Sequence, residues 1–189
     1  MTSGADGVEV TRAGELERPL IDGLFQFYAY DFSELEPARS AGFELESDGR
    51  FAAYAPIDSY WRDETCVPLV IRRWGRPAGF ALINAVAHSG LAVDRNMAEF
   101  FVMRKHRRGG VARAAVQSIM SRYPGVWEIA VAERNTIARA FWPDAVAATP
   151  GVRELSTLEG DRVHWTGPIL RFTVAPAGAG PMAKSVEGP

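Results

Sequence analysis

The sequence predicts one α/β (α+β) domain: a mixed, mostly antiparallel sheet with helices on both faces. Three observations predict it. Apolar runs rich in β-branched residues alternate with segments of helical period. Two of the runs, residues 66–71 and 78–86, are joined by a short turn near Gly75, which makes them an antiparallel hairpin. Both are apolar at odd and even positions alike, as central strands covered on two sides must be.

In chain order, residues 1–7 are small and polar and read as a disordered start. Residues 8–11 suit a first strand. A helix follows from Pro19, because a proline in the first turn loses no hydrogen bond there. Leu20, Ile21, Leu24, Phe25, Tyr28 and Phe32 fall on one face of it, with Asp22, Gln26, Tyr30 and Asp31 opposite. Residues 34–64 are irregular and aromatic. Of the aromatics from the helix into this region, Tyr28 reads as core, while Phe27, Tyr54, Tyr60 and Trp61 are divided between core and acceptor-binding roles. After the hairpin and a loop over 88–96, residues 97–103 form the next strand. The helix beginning at Val111 has Ala112, Ala115, Val116, Ile119, Met120 and Tyr123 at helical spacing and ends at Pro124-Gly125. A strand over 126–132 follows, with Trp127, Ile129 and Val131 on one side. A short helix over 136–142 is expected to stop at Pro143, since an interior proline clashes with the preceding turn. Two last strands are expected near 162–165 and 169–174, and 175–189 reads as a flexible tail. The folded domain is thus expected over 8–174.

The composition narrows the function. The 189 residues are 47% hydrophobic and 23% charged, with a formal net charge of -2. That balance suggests neither nucleic acid nor an anionic membrane as partner. The local run Arg104, Lys105, His106, Arg107, Arg108 keeps nucleic acid open as a third reading. A single cysteine, Cys66, allows no internal disulfide, and no evident base accompanies it. No apolar run reaches the ~18 residues of a membrane span, and no basic-then-apolar leader opens the chain, so a cytoplasmic location is expected. No metal site is expected.

The stretch that organises the rest is 97–123, MAEFFVMRKHRRGGVARAAVQSIMSRY. An apolar strand runs into a basic turn with two glycines and then into an amphipathic helix. Unpaired N–H groups and the dipole make a helix start a ready anion site. Glycine lets an anion approach the backbone closely. Arg107-Arg108-Gly109-Gly110-Val111-Ala112 therefore reads as a cradle for a pyrophosphate.

The spacing Arg-x-x-Gly-x-Ala at 107–112, behind a strand ending Phe101-Val102-Met103, resembles the acetyl-CoA-binding motif of the GNAT acyltransferases. The later run Asn135-Thr136-Ile137-Ala138-Arg139-Ala140-Phe141-Trp142 resembles that family's second characteristic block. The resemblance covers about 67–142. It implies a GNAT-like sheet splayed between its fourth and fifth strands, with the pantetheine arm of the co-substrate acetyl-CoA in the gap. By the same resemblance, Phe101, Val102 and Met103 form the edge along the pantetheine and free one N–H for the thioester carbonyl. Arg107, Arg108, Gly109, Gly110, Val111 and Ala112 hold the pyrophosphate. Asn135 either contacts the pantetheine or simply caps the next helix. Glu99, flanked by Phe100 and Phe101, is the candidate general base, with Glu128 as second choice; the alternative is that Glu99 points to solvent. Trp142 stands where many relatives carry a tyrosine. An indole cannot release a proton at working pH, so the general acid is missing. Pro143-Asp144 also replaces the usual Gly-Phe.

Two readings of function follow: an acetyl-CoA-dependent N-acetyltransferase for a primary amine of a small molecule, or a non-catalytic acyl-CoA-binding sensor or partner module. Neither nucleic acid nor membrane is the expected partner, and a homodimer is left open.

Overall fold

A computed structural model describes residues 7–37 and 42–176. The expected disordered start and flexible tail therefore fall almost wholly outside the described residues. Seven strands form one sheet in the order β1-β2-β3-β4-β5-β7-β6. They are β1 (Val8–Arg12), β2 (Val67–Arg73), β3 (Arg76–Asn84), β4 (Arg95–Val102), β5 (Gly125–Ala130), β6 (Val152–Glu159) and β7 (Pro168–Val174). Every neighbouring pair is antiparallel except β4 and β5. Helices α1 (Arg18–Ser33), α2 (Val111–Arg122) and α3 (Thr136–Ala147) cover the sheet.

Both faces of the central strands are buried, as their unbroken apolar runs require. On one face, Val116, Ile119 and Met120 of α2 and Ala145 and Val146 of α3 meet Leu69, Ile71, Ile83 and Trp127. On the other face, Ile21, Leu24 and Phe25 of α1 and Ile57 and Tyr60 of a 3-10 helix (Ala55–Trp61) meet Val70, Phe80 and Leu82. Gly79 makes the close β3–β4 pairing possible: a Cβ there would lie 2.0 Å from the Phe101 carbonyl oxygen.

Two expectations are corrected. The penultimate strand is Val152–Glu159, not 162–165. Residues 162–165 instead form a turn around the Asp161 carboxylate, which accepts from the backbone N–H groups of Val163, His164 and Trp165. The edge strand β6 leaves most of its side chains in solvent, so it carries no apolar alternation to read. Pro143 also does not end α3, which continues to Ala147. Trp142, Ala145 and Val146 on either side of the proline are buried, and that packing holds the helix across the missing N–H. Lesser shifts are that β4 begins at Arg95 and α1 at Arg18.

Candidate active site

The site begins where the parallel pair comes apart. β4 and β5 pair only at Arg95 with Trp127 and Asn96 with Glu128. Past these residues the two strands diverge. The β3–β4 register also slips there: Leu82 faces Glu99 and Ile83 faces Met97, so Ala98 is an extra residue. A bulge of this kind re-aims side chains next to a site. The gap opens into a cavity of about 890 Å³, walled by Met97, Ala98, Glu99 and Phe100 of β4 and by Ile129 and Ala130 of β5. That volume is in the usual range for small-ligand sites.

The expected edge lies further along than this wall. Phe101 and Val102 are buried in the two cores, and the Met103 N–H is taken by the Ala78 carbonyl at 2.8 Å. None of the three contributes to the cavity wall; residues 97–100 do.

At the C-terminal end of β4 the chain makes a 3-10 turn (Arg104–His106) and reaches the two glycines. Arg108 and Gly110 adopt positive φ, 62° and 78°. Gly110 is the residue before α2, and no side chain caps the helix there. The first N–H groups of α2, at Val111, Ala112 and Arg113, therefore have no acceptor within the helix. A Cβ on Gly109 would lie 2.7 Å from Nη1 of Arg73, so that turn is closed from below by a second guanidinium. Bare N–H groups, glycine and nearby positive charge fit a pyrophosphate. The basic run itself is partly spent. Arg107 donates from Nε to the Val102 carbonyl at 2.7 Å, and Arg104 and Arg107 both pair with Asp31 of α1. His106 is buried. Arg107 and Arg108 are both exposed, and Arg107 is the one already paired with Asp31.

Glu99 does not point to solvent. Its carboxylate lies on the cavity wall and accepts a hydrogen bond from the Tyr28 hydroxyl. Tyr54 lies on the same wall. Burial raises the pKa of Glu99 to about 7, against the Tyr28 and Tyr54 hydroxyls, which favour the ionised form. Tyr28 itself is pushed well above the usual tyrosine range by burial and by the Glu99 charge. The carboxylate is thus the group of this cluster that exchanges a proton near neutral pH.

Glu128 is otherwise employed. Fully buried, it accepts from the N–H groups of His88 at 2.5 Å and Ser89 at 3.1 Å, and from the Ser89 hydroxyl. Arg171 stands 3.6 Å away. It anchors the loop after β3. Asn135 is the N-cap of α3: its Oδ1 accepts from Ala138 N–H at 3.0 Å. It also faces the cavity, as does Trp142, whose ring meets Phe100 edge-on at 5.2 Å. Cys66 is buried, and burial raises its pKa, which makes it a poor nucleophile. Among the described residues, no group of three or more His, Cys, Asp or Glu is placed to hold a metal, and no helix is long and apolar enough to cross a membrane.

Tyr28, which reads as core in the sequence, is the site residue that sequence reasoning missed, while Tyr54 stays open there between core and acceptor-binding roles. Tyr28 sits on the apolar face of α1 and is indistinguishable by spacing from its core neighbours. Only the fold brings it to Glu99, 71 residues on.

The comparisons with known proteins agree with this geometry. No curated protein matches the chain at a significant level. Among solved structures, an acetyltransferase from Thermus thermophilus shares 14% identity, with 91% of this chain and 98% of that one covered at a TM-score of 0.58. The ribosomal-protein-S18-alanine N-acetyltransferase from Escherichia coli shares 13% identity over 94% and 99% of the two chains, at a TM-score of 0.53. A GCN5-related N-acetyltransferase from Kribbella flavida shares 18% identity over 89% and 98%, at a TM-score of 0.54. At such identities the likeness is one of fold. The family model for the acetyltransferase (GNAT) family matches residues 24–144, more than half of the chain and all of the cradle, gap and Glu99 cluster, and the chain belongs to that family.

Proposed function

We propose that the chain is an acetyl-CoA-dependent N-acetyltransferase that acts on a primary amine of a small molecule, with Glu99 as general base. The single observation that carries this reading is the Glu99 carboxylate on the cavity wall, hydrogen-bonded by the Tyr28 hydroxyl and buried enough to ionise at about 7. An acceptor amine is mostly an ammonium at neutral pH and must lose a proton before it can attack a carbonyl. A base with a pKa near the working pH is suited to remove it. Bound acetyl-CoA supplies the activated acetyl group. The chain's own residues divide the remaining work. The α2 N-terminus with Arg108, Gly109, Gly110, Val111 and Ala112 holds the pyrophosphate. The unpaired edge of β4 orients the arm that leads from it into the gap. Trp142 and Phe100 wall the gap against water. Glu99 takes one proton from the ammonium; the neutral amine then attacks the thioester carbonyl, the C–S bond breaks, and a second N–H proton of the attacking nitrogen passes to the departing thiolate, which leaves as the free thiol.

The alternative, a non-catalytic acyl-CoA-binding module, draws on one observation: Trp142 faces the cavity where a proton donor is common in relatives, and an indole does not donate one. Release of free thiol from acetyl-CoA in the presence of a panel of primary amines separates the readings. The transferase reading expects amine-dependent release that falls about a hundredfold or more in kcat for Glu99→Gln. Release no faster than spontaneous hydrolysis with every amine, from a protein that binds acetyl-CoA, would establish the module instead.

A further inference from the structure

We propose that the acceptor is an arylalkylamine: a primary ammonium that pairs with Glu99, carried on an aromatic body that packs against Tyr28, Phe32 and Phe43. The inference rests on the acetyl-transfer reading above and names the acceptor class for the same cavity.

The cavity wall on the α1 side is a continuous row of rings. Tyr28 and Phe32 have centroids 4.4 Å apart, and Phe32 and Phe43 are 5.6 Å apart. Tyr54 joins from the turn before the 3-10 helix, 5.2 Å from Phe25. Three separate stretches of chain thus bring rings to one place. Phe32, Phe43 and Tyr54 are half-buried; each packs on the α1-side core and still lines the cavity. Aromatic rings prefer tilted and edge contacts at centroid separations of roughly 4.5–7 Å, so a ligand ring extends this row in the geometry the row already uses.

The carboxylate sits at the end of the row. The Tyr28 ring packs on Phe32 while its hydroxyl binds Glu99, so one side chain joins the apolar wall to the charge. An ammonium placed at Glu99 lies beside the Tyr28 side chain, whose hydroxyl binds the same carboxylate. An alkyl body fills the same space without the ring-to-ring contacts. A free carboxylate on the acceptor would face the acids Glu99 and Glu133 on the wall. Among the described residues, the one guanidinium on the wall, Arg134, is outnumbered there by the carboxylates of Glu99 and Glu133. The cavity therefore favours a monoamine over an amino acid.

Calorimetry with 2-phenylethylamine, n-hexylamine, spermidine and phenylalanine, with and without CoA, tests the acceptor class independently of turnover. The same four compounds are then followed by thiol release from acetyl-CoA. The proposal expects 2-phenylethylamine to bind about tenfold or more tightly than the other three. It further expects Phe43→Ala to remove most of that preference, and Phe32→Leu, which keeps an apolar core contact, to reduce it. Glu99→Gln should weaken 2-phenylethylamine and n-hexylamine alike. Equal binding of all four, tighter binding of spermidine or phenylalanine, or no binding by 2-phenylethylamine overturns the proposal. Preferred binding of 2-phenylethylamine without thiol release would keep the acceptor class and refute acetyl transfer. Thiol release with spermidine or phenylalanine but not 2-phenylethylamine would do the reverse.

Discussion

Glu99 is held at a cost. Moving a carboxylate out of water disfavours its charged form, and here burial outweighs the two tyrosine hydroxyls that favour it. The folded pKa of about 7 stands above the ordinary glutamate value near ~4.3, so the folded chain binds a proton that the unfolded chain has released. The sign follows from linkage: the stabilisation this group confers is complete below the unfolded pKa and is lost as pH rises through about 7. Glutamine keeps the shape and cannot ionise. Glu99→Gln is therefore expected to be more stable than the wild type by roughly 1–3 kcal/mol at mildly alkaline pH, the difference shrinking as pH falls from about 7 and vanishing only below the unfolded pKa near ~4.3. Thermal unfolding followed across that pH range checks it. A variant less stable at every pH would mean that Glu99 is a structural anchor and not a strained functional group. The raised pKa was foreseeable from Phe100 and Phe101, which follow Glu99 directly. Its hydrogen-bond partner was not, because nothing in the local spacing separates Tyr28 from Leu24 or Phe25, which merely pack.

At the scale of elements, what was legible depended on two-sided burial. The unbroken apolar runs of β2 and β3 and the regular face of α2 declare themselves because packing constrains nearly every position. The edge strand β6 is held by its ladder to β7 and leaves its side chains free, so 152–159 carried no pattern. Asp161 organised a turn where 162–165 resembled a strand. At Pro143, tertiary burial on both sides overrode a local rule that is sound in isolation. The glycine turn at 107–112 was legible because the positive φ at Gly110 and the uncapped helix start leave signatures in composition. Gly79 had no such signature. Its ordinary backbone conformation conceals the close approach of Phe101, whose carbonyl oxygen would lie 2.0 Å from an added Cβ. Gly79→Ala must push β4 away from β3, beside the bulge that aims Glu99. A loss of about 2 kcal/mol or more is expected, read from the denaturant midpoint. An unchanged midpoint would show that β4 yields without strain and that its position is not fixed by this contact.

At the scale of the whole molecule, the sheet organises the chemistry. Two cores, one under α2 and α3 and one under α1, meet at strands that are covered on both faces. The parallel pairing of β4 with β5 ends after two residues, and the cavity begins where it ends. The cradle lies beyond the far end of β4, the Glu99 cluster on the wall, and the row of aromatic rings on the α1 side. Asp31 ties α1 to the cradle through Arg104 and Arg107. The basic run that looked in the sequence like a free patch is thereby partly converted into an internal brace. That leaves less positive charge for a nucleic acid partner than five consecutive basic residues imply.

The most direct test of this account is acetyl-CoA binding by calorimetry, with the wild type and Gly110→Asp side by side. Aspartate adds a Cβ and a carboxylate at a residue whose φ of 78° suits glycine, in front of the uncapped N-terminus of α2. The account expects the wild type to bind at micromolar concentrations and the variant, with its fold verified by circular dichroism, to show no measurable binding. A folded wild type that binds no acetyl-CoA, or a folded variant that binds as tightly as the wild type, would contradict the assignment of 107–112 as the pyrophosphate cradle.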